Sequence, residues 1–352
     1  MNVAESVSPA NAPETLRPLL NGSRGANDLH LSSAVAPVIG VGLALLVHWF
    51  IPHRQEIPPS WMDGLSAWLH PYPLLLSALL AISLLAAGAQ WIWRPLRPWV
   101  SHYGPLTAGA LGIVCFWELI TTKMALLPLP YFPGPDAVLG GMIEDRKILM
   151  ESTLHSLRLL ACGYAGGVIT GLASGVLIGW FVRVRYWGMP VLKLLGPLPA
   201  TALIPLVMML PVRDFLFLSG AALIAFAVWF PVTMLTSSGI ANVRLTYLDV
   251  ARTLGAGRLF LIFRVAIPSA LPNIFIGLFQ GLGASFLTLI AAETLGVKAG
   301  LGWYIAMQKG YAEYAKVYGS LIIMALFFST IMTLLFKARD WLLSWQKGVI
   351  KW

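Results

Sequence analysis

Charged residues are scarce in this chain of 352 residues, in which Asp, Glu, Lys and Arg together make up 11%. A soluble globular protein carries about 25% charged residues, and 58% of this chain is hydrophobic. The composition therefore excludes an ordinary soluble fold and predicts an all-α protein that crosses a membrane several times. A net charge of +9 would suggest nucleic acid as the partner of a soluble protein. In a membrane protein basic residues mainly set the orientation, so we expect no nucleic-acid partner.

Residues that build metal or catalytic sites are also few. The two cysteines, Cys115 and Cys162, lie in apolar runs and suggest neither a disulfide framework nor a metal site. The six histidines are scattered, and the sequence contains no Ser-His-Asp pattern, HExxH motif or GxSxG motif. The phosphate-binding pattern Gly-x-x-x-x-Gly-Lys-Ser/Thr is missing as well. We therefore expect no enzyme, metal or cofactor on this chain.

Eight apolar runs are long enough to cross a membrane, because a hydrocarbon core about 30 Å thick needs roughly 20 residues of helix. They lie near residues 33–51, 72–93, 105–127, 154–181, 189–210, 215–235, 271–290 and 318–336. The stretch 1–32 is polar and partly Gly-rich, so we expect a disordered cytoplasmic tail. It lacks the pattern of a secretory signal.

The positions of the charges predict that both termini are cytoplasmic. With the N-terminus inside, the loops 53–70, 128–153, 211–214 and 292–316 lie outside and hold most of the acidic residues. The cytoplasmic side then receives most of the basic residues, as the positive-inside rule requires. These residues are Arg17, Arg24, Arg94, Arg97, Arg183, Arg185, Arg244, Arg252, Arg258, Arg264, Lys337, Arg339, Lys347 and Lys351.

A stripe of glycines marks the fourth predicted span. Residues four apart lie on one face of a helix, and small residues at this spacing let two helices approach closely inside a bilayer. The stripe predicts tight helix packing, within the chain or between subunits, with a passage lined by backbone as the alternative. Its members are Gly163, Gly167, Gly171, Gly175 and Gly179.

Prolines interrupt the fifth predicted span. Each proline removes a backbone donor and disturbs the preceding turn. Irregular backbone at membrane depth is tolerated only where it is buried in protein or lines a water-filled cavity. We therefore expect a broken helix that is buried in the protein and lines a pathway. The prolines are Pro190, Pro197, Pro199, Pro205 and Pro211.

A polar, helix-prone stretch at residues 243–260 separates the sixth and seventh spans. Its apolar residues recur at spacings of three and four, which predicts a short helix lying at the cytoplasmic surface. Gly255 is suited to end that helix, and Pro268 to begin the next span. The stretch predicts either a docking surface or a surface connector with no partner. The apolar positions are Leu248, Ala251, Leu254, Leu259 and Phe260.

This stretch resembles the signature of permease subunits of ATP-binding-cassette importers, Glu-Ala-Ala…Gly…Ile-x-Leu-Pro. Here the matching residues are Asp249-Val250-Ala251, Gly255 and Val265-Ala266-Ile267-Pro268. The sequence departs from the signature in having Asp for Glu and Val250 for the first Ala. The resemblance implies a coupling helix that fits a cleft in the nucleotide-binding subunit. The residues it assigns to coupling are Asp249, Ala251, Arg252, Gly255 and Pro268.

Three further stretches resemble the branch of this family that imports nitrate, sulfonates, taurine, bicarbonate and similar small anions. They are residues 156–160, residues 197–206, and Ala291-Ala292-Glu293 followed by Gly300-Leu301-Gly302-Trp303. The resemblance runs from about residue 105 to the C-terminus. It implies a type I importer core of six helices at 105–352, preceded by two additional transmembrane helices at 33–104.

The resemblance also implies the partners of the chain. Two ATPase subunits would bind ATP and Mg, a second permease copy would complete the pathway, and a periplasmic solute-binding protein would deliver the solute. The complex would lie in the inner membrane of a bacterium, in contact with lipid. A passive channel or membrane scaffold remains the alternative, and an intramembrane enzyme is a weaker one.

Polar residues within the spans are candidates for the pathway, because each is costly in a bilayer unless it faces a cavity or a partner. For any one of them, a hydrogen bond between helices is the alternative role. Glu118 is expected to be paired, with Arg158 as one hypothesis, and Glu293 is suited to a gate or to contact with the binding protein. The candidates are Thr201, Trp229, Thr233, Gln280, Ser285, Thr288, Glu118 and Glu293.

Overall fold

The computed structural model describes residues 35–52, 71–93, 96–196, 198–208, 215–295, 297 and 299–346. These residues form helices and connecting turns, with no strand among them, as the composition predicts. The chain divides into two compact units, with the boundary between Glu144 and Asp145. The predicted tail at 1–32 lies outside the described residues.

The described residues of the first unit form four helices. They are α1 (Val35–Phe50), α2 (Pro71–Ile92), α3 (Arg97–Glu118) and α4 (Pro135–Glu144). A π-helical turn, Leu119–Lys123, continues α3. The buried apolar residues Ala44, Tyr72, Leu76 and Cys115 join α1, α2 and α3 in one core. Thus α3, which the resemblance assigns to the importer core, packs with the two helices that precede it.

The second unit contains eight helices among the described residues. They are α5 (Arg146–Trp180), α6 (Val182–Leu195), α7 (Ile204–Met208), α8 (Phe215–Ala241), α9 (Leu245–Thr253), α10 (Arg258–Leu295), α11 (Leu301–Gly310) and α12 (Tyr314–Leu342). A π-helical segment, Leu261–Ala266, lies inside α10 shortly before Pro268.

The glycine stripe of α5 lies against α8 of the same chain. A Cβ atom added to Gly167 would lie 2.6 Å from the carbonyl oxygen of Ala225, too close for any side chain. The stripe therefore permits backbone contact along about 24 Å of helix. Along it, Gly163 lies beside Ile224 and Gly179 beside Ile240, so the partner number rises with the glycine number. The helices α5 and α8 are therefore parallel.

Because α5 and α8 are parallel, the chain between them must return to the end of the unit at which α5 begins. Among the described residues of that connection the α-helices are α6 and α7, which together are apolar and long enough for one crossing, with a bend of 82°. Pro190 lies within α6, and Pro199 has an extended backbone just before a 3-10 turn, Ala200–Leu203. These prolines explain the break, because proline cannot continue the backbone hydrogen bonding of a helix. The crossing begins at Val182, earlier than the predicted 189.

The helices α8 and α10 are antiparallel neighbours. Gly281 of α10 lies beside Val228, and Gly277 beside Pro231, so residue numbers run in opposite directions along α8 and α10. Overall, six described helices are long and apolar enough to cross a membrane, and there are seven if the bent pair forms one span. The first of the eight predicted spans is the shorter helix α1. We name the two ends of the second unit after the helices that lie there, the α9 end and the α11 end.

Candidate functional site

The helix α9 is held between two longer helices by tight turns at the α9 end. It begins at Leu245, a few residues after α8 finishes, and its last residue is Thr253. Gly255 follows with a φ of 82°, in the left-handed region that favours glycine, and its N–H bonds to the carbonyl of Arg252. The next helix starts at Arg258. Gly255 thus ends α9 and redirects the chain into α10.

Apolar residues of this segment face in two directions. Leu248 is 8% exposed and anchors α9 to the unit, and Ala251 is half-buried. Leu254, by contrast, is 82% exposed. The apolar face expected from the sequence is therefore split between an inward anchor and an outward patch. We call the outward patch the α9 patch; it consists of Leu245, Tyr247, Val250, Leu254, Leu259 and Phe260, each of them exposed.

Basic side chains surround the α9 patch. Arg244, Arg258 and Arg264 are exposed, and Arg252 pairs with Asp249 across 3.0 Å on the surface of α9. Both members of this pair are more than half exposed, so it contributes little to stability. The α9 end is therefore both apolar and positively charged, and among the described residues Asp249 neutralises only part of that charge.

A polar cluster joins α5 and α8 within the bilayer-spanning part. The Trp229 indole N–H donates to Ser174 Oγ at 3.0 Å, and the hydroxyl oxygens of Ser174 and Thr233 are 2.8 Å apart. A cavity of about 580 Å³ opens beside Ser174 and Trp229, and Arg183 and Trp187 of α6 also line it. Two of the predicted pathway residues, Trp229 and Thr233, thus come together around a serine.

The other predicted polar residues of the second unit lie elsewhere. Thr201 and Gln280 are exposed. Ser285 and Thr288 are buried and donate to carbonyl oxygens of their own helix, at 2.7 and 2.9 Å. Ser285 and Thr288 therefore satisfy their hydroxyls locally, and Thr201 and Gln280 are accessible in the single chain.

Glu293 is the centre of a buried cluster at the α11 end. It is 1% exposed, and its carboxylate accepts hydrogen bonds from the Ser156 hydroxyl at 2.7 Å and the Gly302 N–H at 2.8 Å. Ser156 Oγ in turn accepts the Leu301 N–H at 2.8 Å. Both N–H groups belong to the first turn of α11, whose dipole favours negative charge. Gly300, with a φ of 98°, lets the backbone pass next to the carboxylate.

A second carboxylate, Asp145, holds α11 from its other side. It accepts hydrogen bonds from the Tyr304 hydroxyl at 2.7 Å and the Gln308 amide at 3.2 Å. The ammonium of Lys316, near the start of α12, lies 3.5 Å away. Together Glu293 and Asp145 join α5, α10, α11 and α12 into one hydrogen-bonded assembly.

The first unit contains its own buried ionic cluster around Glu118. The carboxylate is 2.7 Å from His48 Nδ1 and accepts the Tyr72 hydroxyl at 3.0 Å. Lys123 lies 3.9 Å from it and donates to the carbonyl oxygens of His48 and Ile51. Glu118 is therefore paired, as expected, and these partners satisfy both carboxylate oxygens without the suggested Arg158. The cluster ties α1 and α2 to the end of α3.

Sequence reasoning missed several residues that the structure brings into these clusters. Ser174 lies between Gly171 and Gly175 of the glycine stripe, where a polar residue next to a packing face is a usable signal. Ser156 belongs to the stretch 156–160, which resembles the importer family, but the resemblance assigns no role to Ser156. Asp145 and Tyr304 carry no local signal, because their contact depends on the folding of α11 back onto the start of α5.

Comparison with known proteins identifies a family and several relatives of this chain. Residues 167–347 match the family described as binding-protein-dependent transport system inner membrane component. The taurine transport system permease protein TauC of Escherichia coli is 30% identical over 65% of this chain and 84% of its own length.

Two further relatives have similar coverage. The aliphatic sulfonates transport permease protein SsuC of Bacillus subtilis, a name given to it as putative, is 29% identical over 60% of this chain and 77% of its own length. The bicarbonate transport system permease protein CmpB of Synechocystis is 29% identical over 69% of this chain and 88% of its own length.

Proposed function

Because the chain belongs to the family of binding-protein-dependent transport system inner membrane components, we propose that it is the permease subunit of an ATP-driven importer. Relatives of this kind are transport permeases and not enzymes. We further propose that α9 is the coupling helix, and that ATP and Mg are bound by a separate ATPase subunit that docks on it.

The observation that carries the coupling proposal is the α9 patch. Exposed apolar side chains in a soluble setting mark a contact surface for another protein. A helix of nine residues, anchored through Leu248 and ended by Gly255, is well suited to transmit a push from that protein to α8 and α10. Movement of the ATPase would then rock these helices between inward-facing and outward-facing states.

We propose that the solute is a small anion such as a sulfonate, taurine, bicarbonate or nitrate. Support comes from the relatives, which are named for taurine, aliphatic sulfonates, bicarbonate and nitrate. It also comes from the cavity beside Ser174 and Trp229, which has Arg183 on its wall to attract an anion. A pathway shared with a second copy would use polar residues that are exposed in one chain, as Thr201 and Gln280 are.

The proposed assembly has two permease copies, two ATPase subunits and a periplasmic solute-binding protein. The basic α9 end would face the cytoplasm, in keeping with the positive-inside rule. Both termini would then be cytoplasmic and the membrane would be the bacterial inner one. The helices α1 and α2 would be additions to the importer core, tied to α3 through Glu118.

The first experiment is to purify the tagged chain from its native host in mild detergent and weigh the intact complex by mass spectrometry. We expect two copies of the chain with two ATPase subunits. The complex is then reconstituted in liposomes, and ATP-driven uptake of radiolabelled taurine, sulfonate, bicarbonate and nitrate is measured with the binding protein added.

The result that would refute the coupling proposal is a chain recovered alone in several detergents, or solute flux that proceeds without ATP. Either finding would favour a passive channel or scaffold. As a matched control, Leu254→Asp is compared with Tyr311→Asp. Both side chains are exposed outside the membrane-spanning helices, but Tyr311 lies at the α11 end. Only Leu254→Asp should release the ATPase from an otherwise folded permease.

A further inference from the structure

A cavity of about 420 Å³ lies beneath α9 at the α9 end of the second unit. Its walls come from the last turns of α5 and α8, the start of α6, α9 and the first residues of α10. Leu248, the buried anchor of α9, forms part of the wall, as do Trp180 and Leu261. The cavity thus occupies the joint between α9 and the helices that it connects.

Three arginines from three helices line this cavity: Arg185 of α6, Arg252 of α9 and Arg258 of α10. Arg185 donates to the carbonyl oxygens of Ile178 and Gly179, and Arg252 to the exposed carboxylate of Asp249. The side chain of Arg258 forms no hydrogen bond or ion pair with the part of the chain that the structure describes. The cavity therefore has three guanidinium groups on its wall and one carboxylate, that of Asp249, paired with one of them, so it carries an excess of positive charge.

The donors in this cavity fit a phosphate group. A guanidinium has five N–H donors in a planar fork that matches phosphate oxygens two at a time. None of the three arginines uses all of its donors in the bonds described above. Phosphate alone fills a small part of about 420 Å³, and apolar residues such as Trp180 and Leu248 cover the rest of the wall. A phosphate joined to a glycerol or another carbon skeleton therefore fits better than a bare ion.

We propose that this cavity binds the phosphate group of an organic phosphate ester, supplied either by the headgroup of an anionic phospholipid or by a soluble phosphate compound. Basic pockets between helices on the cytoplasmic side of a membrane are suited to such headgroups. The bound phosphate bridges Arg252 of α9 to Arg185 and Arg258 on the neighbouring helices. It holds α9 against the unit and so regulates how far α9 moves. This regulatory role rests on the proposed function, whereas the binding itself does not.

Binding is tested on the full-length chain, purified in detergent and stripped of lipid. Three probes are titrated at constant ionic strength: dihexanoyl phosphatidylglycerol, glycerol 3-phosphate and, as the zwitterionic reference, dihexanoyl phosphatidylcholine. We expect phosphatidylglycerol to bind more tightly than phosphatidylcholine. Arg258→Gln should weaken that binding about tenfold or more, because it removes charge-assisted hydrogen bonds. Arg258→Lys, which keeps the charge, should lose less.

Arg264→Gln is the matched control, since Arg264 is an exposed arginine of the same helix that does not line the cavity. Tight binding of both phosphatidylglycerol and glycerol 3-phosphate, each sensitive to Arg258→Gln, supports a soluble source. Binding of phosphatidylglycerol alone, with the same sensitivity, supports a lipid source. Equal binding of phosphatidylcholine, equal loss in Arg264→Gln, or no binding of either phosphate probe overturns the proposal.

Two further measurements keep the test decisive. If Arg258→Gln does not fold, native mass spectrometry of the wild-type chain in mixed phosphatidylglycerol and phosphatidylcholine replaces it. Retained phosphatidylglycerol supports the proposal, and equal retention of both lipids contradicts it. Neither measurement involves an ATPase or a transported solute. If the chain binds phosphatidylglycerol but drives no ATP-dependent uptake, the importer proposal is refuted and the phosphate-binding proposal stands. If it drives uptake but does not bind phosphatidylglycerol, the phosphate-binding proposal is refuted and the importer proposal stands.

Discussion

The two ends of the second unit handle their charged groups in opposite ways. At the α11 end, Glu293 is buried and Asp145 is largely so, and both accept hydrogen bonds from residues of α11. At the α9 end, the ion pair of Asp249 and Arg252 is exposed, and the side chain of Arg258 has no partner among the described residues. The α11 end thus holds Glu293 and Asp145 through hydrogen bonds within the chain, whereas the α9 end leaves charged side chains exposed for another molecule.

This difference has a physical consequence for how each end responds to change. Removing one member of a buried hydrogen-bonded cluster leaves its partners unsatisfied and destabilises the fold. Removing an exposed group leaves the fold nearly unchanged but alters the surface that a partner meets. We therefore expect substitutions at the α11 end to reduce stability, and those at the α9 end to reduce coupled transport.

The largest effect is expected for Glu293→Ala. The change leaves the Ser156 hydroxyl and the Gly302 N–H without their acceptor in a buried site. Two unsatisfied donors cost roughly 3 kcal/mol or more in unfolding free energy. The loss should appear as a strongly lowered melting temperature in detergent, followed by intrinsic tryptophan fluorescence, and as poor recovery from the membrane.

Two companion variants sharpen this prediction. Glu293→Gln keeps one acceptor oxygen and should lose less stability than the alanine variant. Glu151→Gln changes an exposed acid of α5 and should leave the melting temperature unaltered. If Glu293→Ala had the same melting temperature as the wild type, the cluster would not stabilise the α11 end. The contrast drawn between the two ends would then be wrong.

A smaller effect on stability is expected for Gly255→Ala, with Gly257→Ala as its control. An added Cβ meets open space at both positions, but only Gly255 has a positive φ. An alanine in that conformation costs about 1–2 kcal/mol, which is enough to shift the end of α9. ATP-driven uptake by the reconstituted complex should fall for Gly255→Ala and stay at the wild-type rate for Gly257→Ala. Equal uptake rates for the two variants would mean that coupling does not depend on the turn at Gly255 that ends helix α9.

A loss of about 1 kcal/mol is expected for Tyr304→Phe, since it deletes one hydrogen bond to Asp145 and keeps the ring. The carboxylate retains Gln308 and Lys316 as partners, so the loss should stay well below that of Glu293→Ala. Tyr311→Phe is the control, because Tyr311 is 72% exposed. Thermal unfolding of the two variants side by side measures the difference, and a control as unstable as Tyr304→Phe would contradict the prediction.

The sequence predicts the long elements of this fold well, for reasons that are local. Apolar length alone predicts the spans that became α2, α3, α5, α8, α10 and α12. The fold class and the family also follow from the sequence, because the loop at residues 243–260 carries a signature that does not depend on distant contacts. The four-residue spacing of glycines identifies the packing face of α5, although not the helix that it meets.

Distant contacts could not be predicted in the same way. The spacing predicts one apolar face on α9, but Leu248 is buried and Leu254 is exposed, because only part of that face contacts the rest of the unit. Glu293 was grouped with pathway candidates, and the structure shows it hydrogen-bonded to Ser156, 137 residues away. Its role in transport stays a prediction, as do those of Thr201, Gln280, Ser285 and Thr288.

The smallest effect on stability is expected for Asp249→Asn at the α9 end. Its pair with Arg252 spans 3.0 Å but is more than half exposed on both sides, so the unfolding free energy should change by about 0.5 kcal/mol or less. ATP-driven uptake should nevertheless fall severalfold, because the acid of the coupling signature is lost from the surface that meets the ATPase. Glu313→Gln, an exposed acid at the α11 end, is the control and should leave uptake unchanged. A variant with normal uptake would mean that the exposed charges of the α9 end do not serve coupling, and that the contrast between the two ends reflects solvation alone.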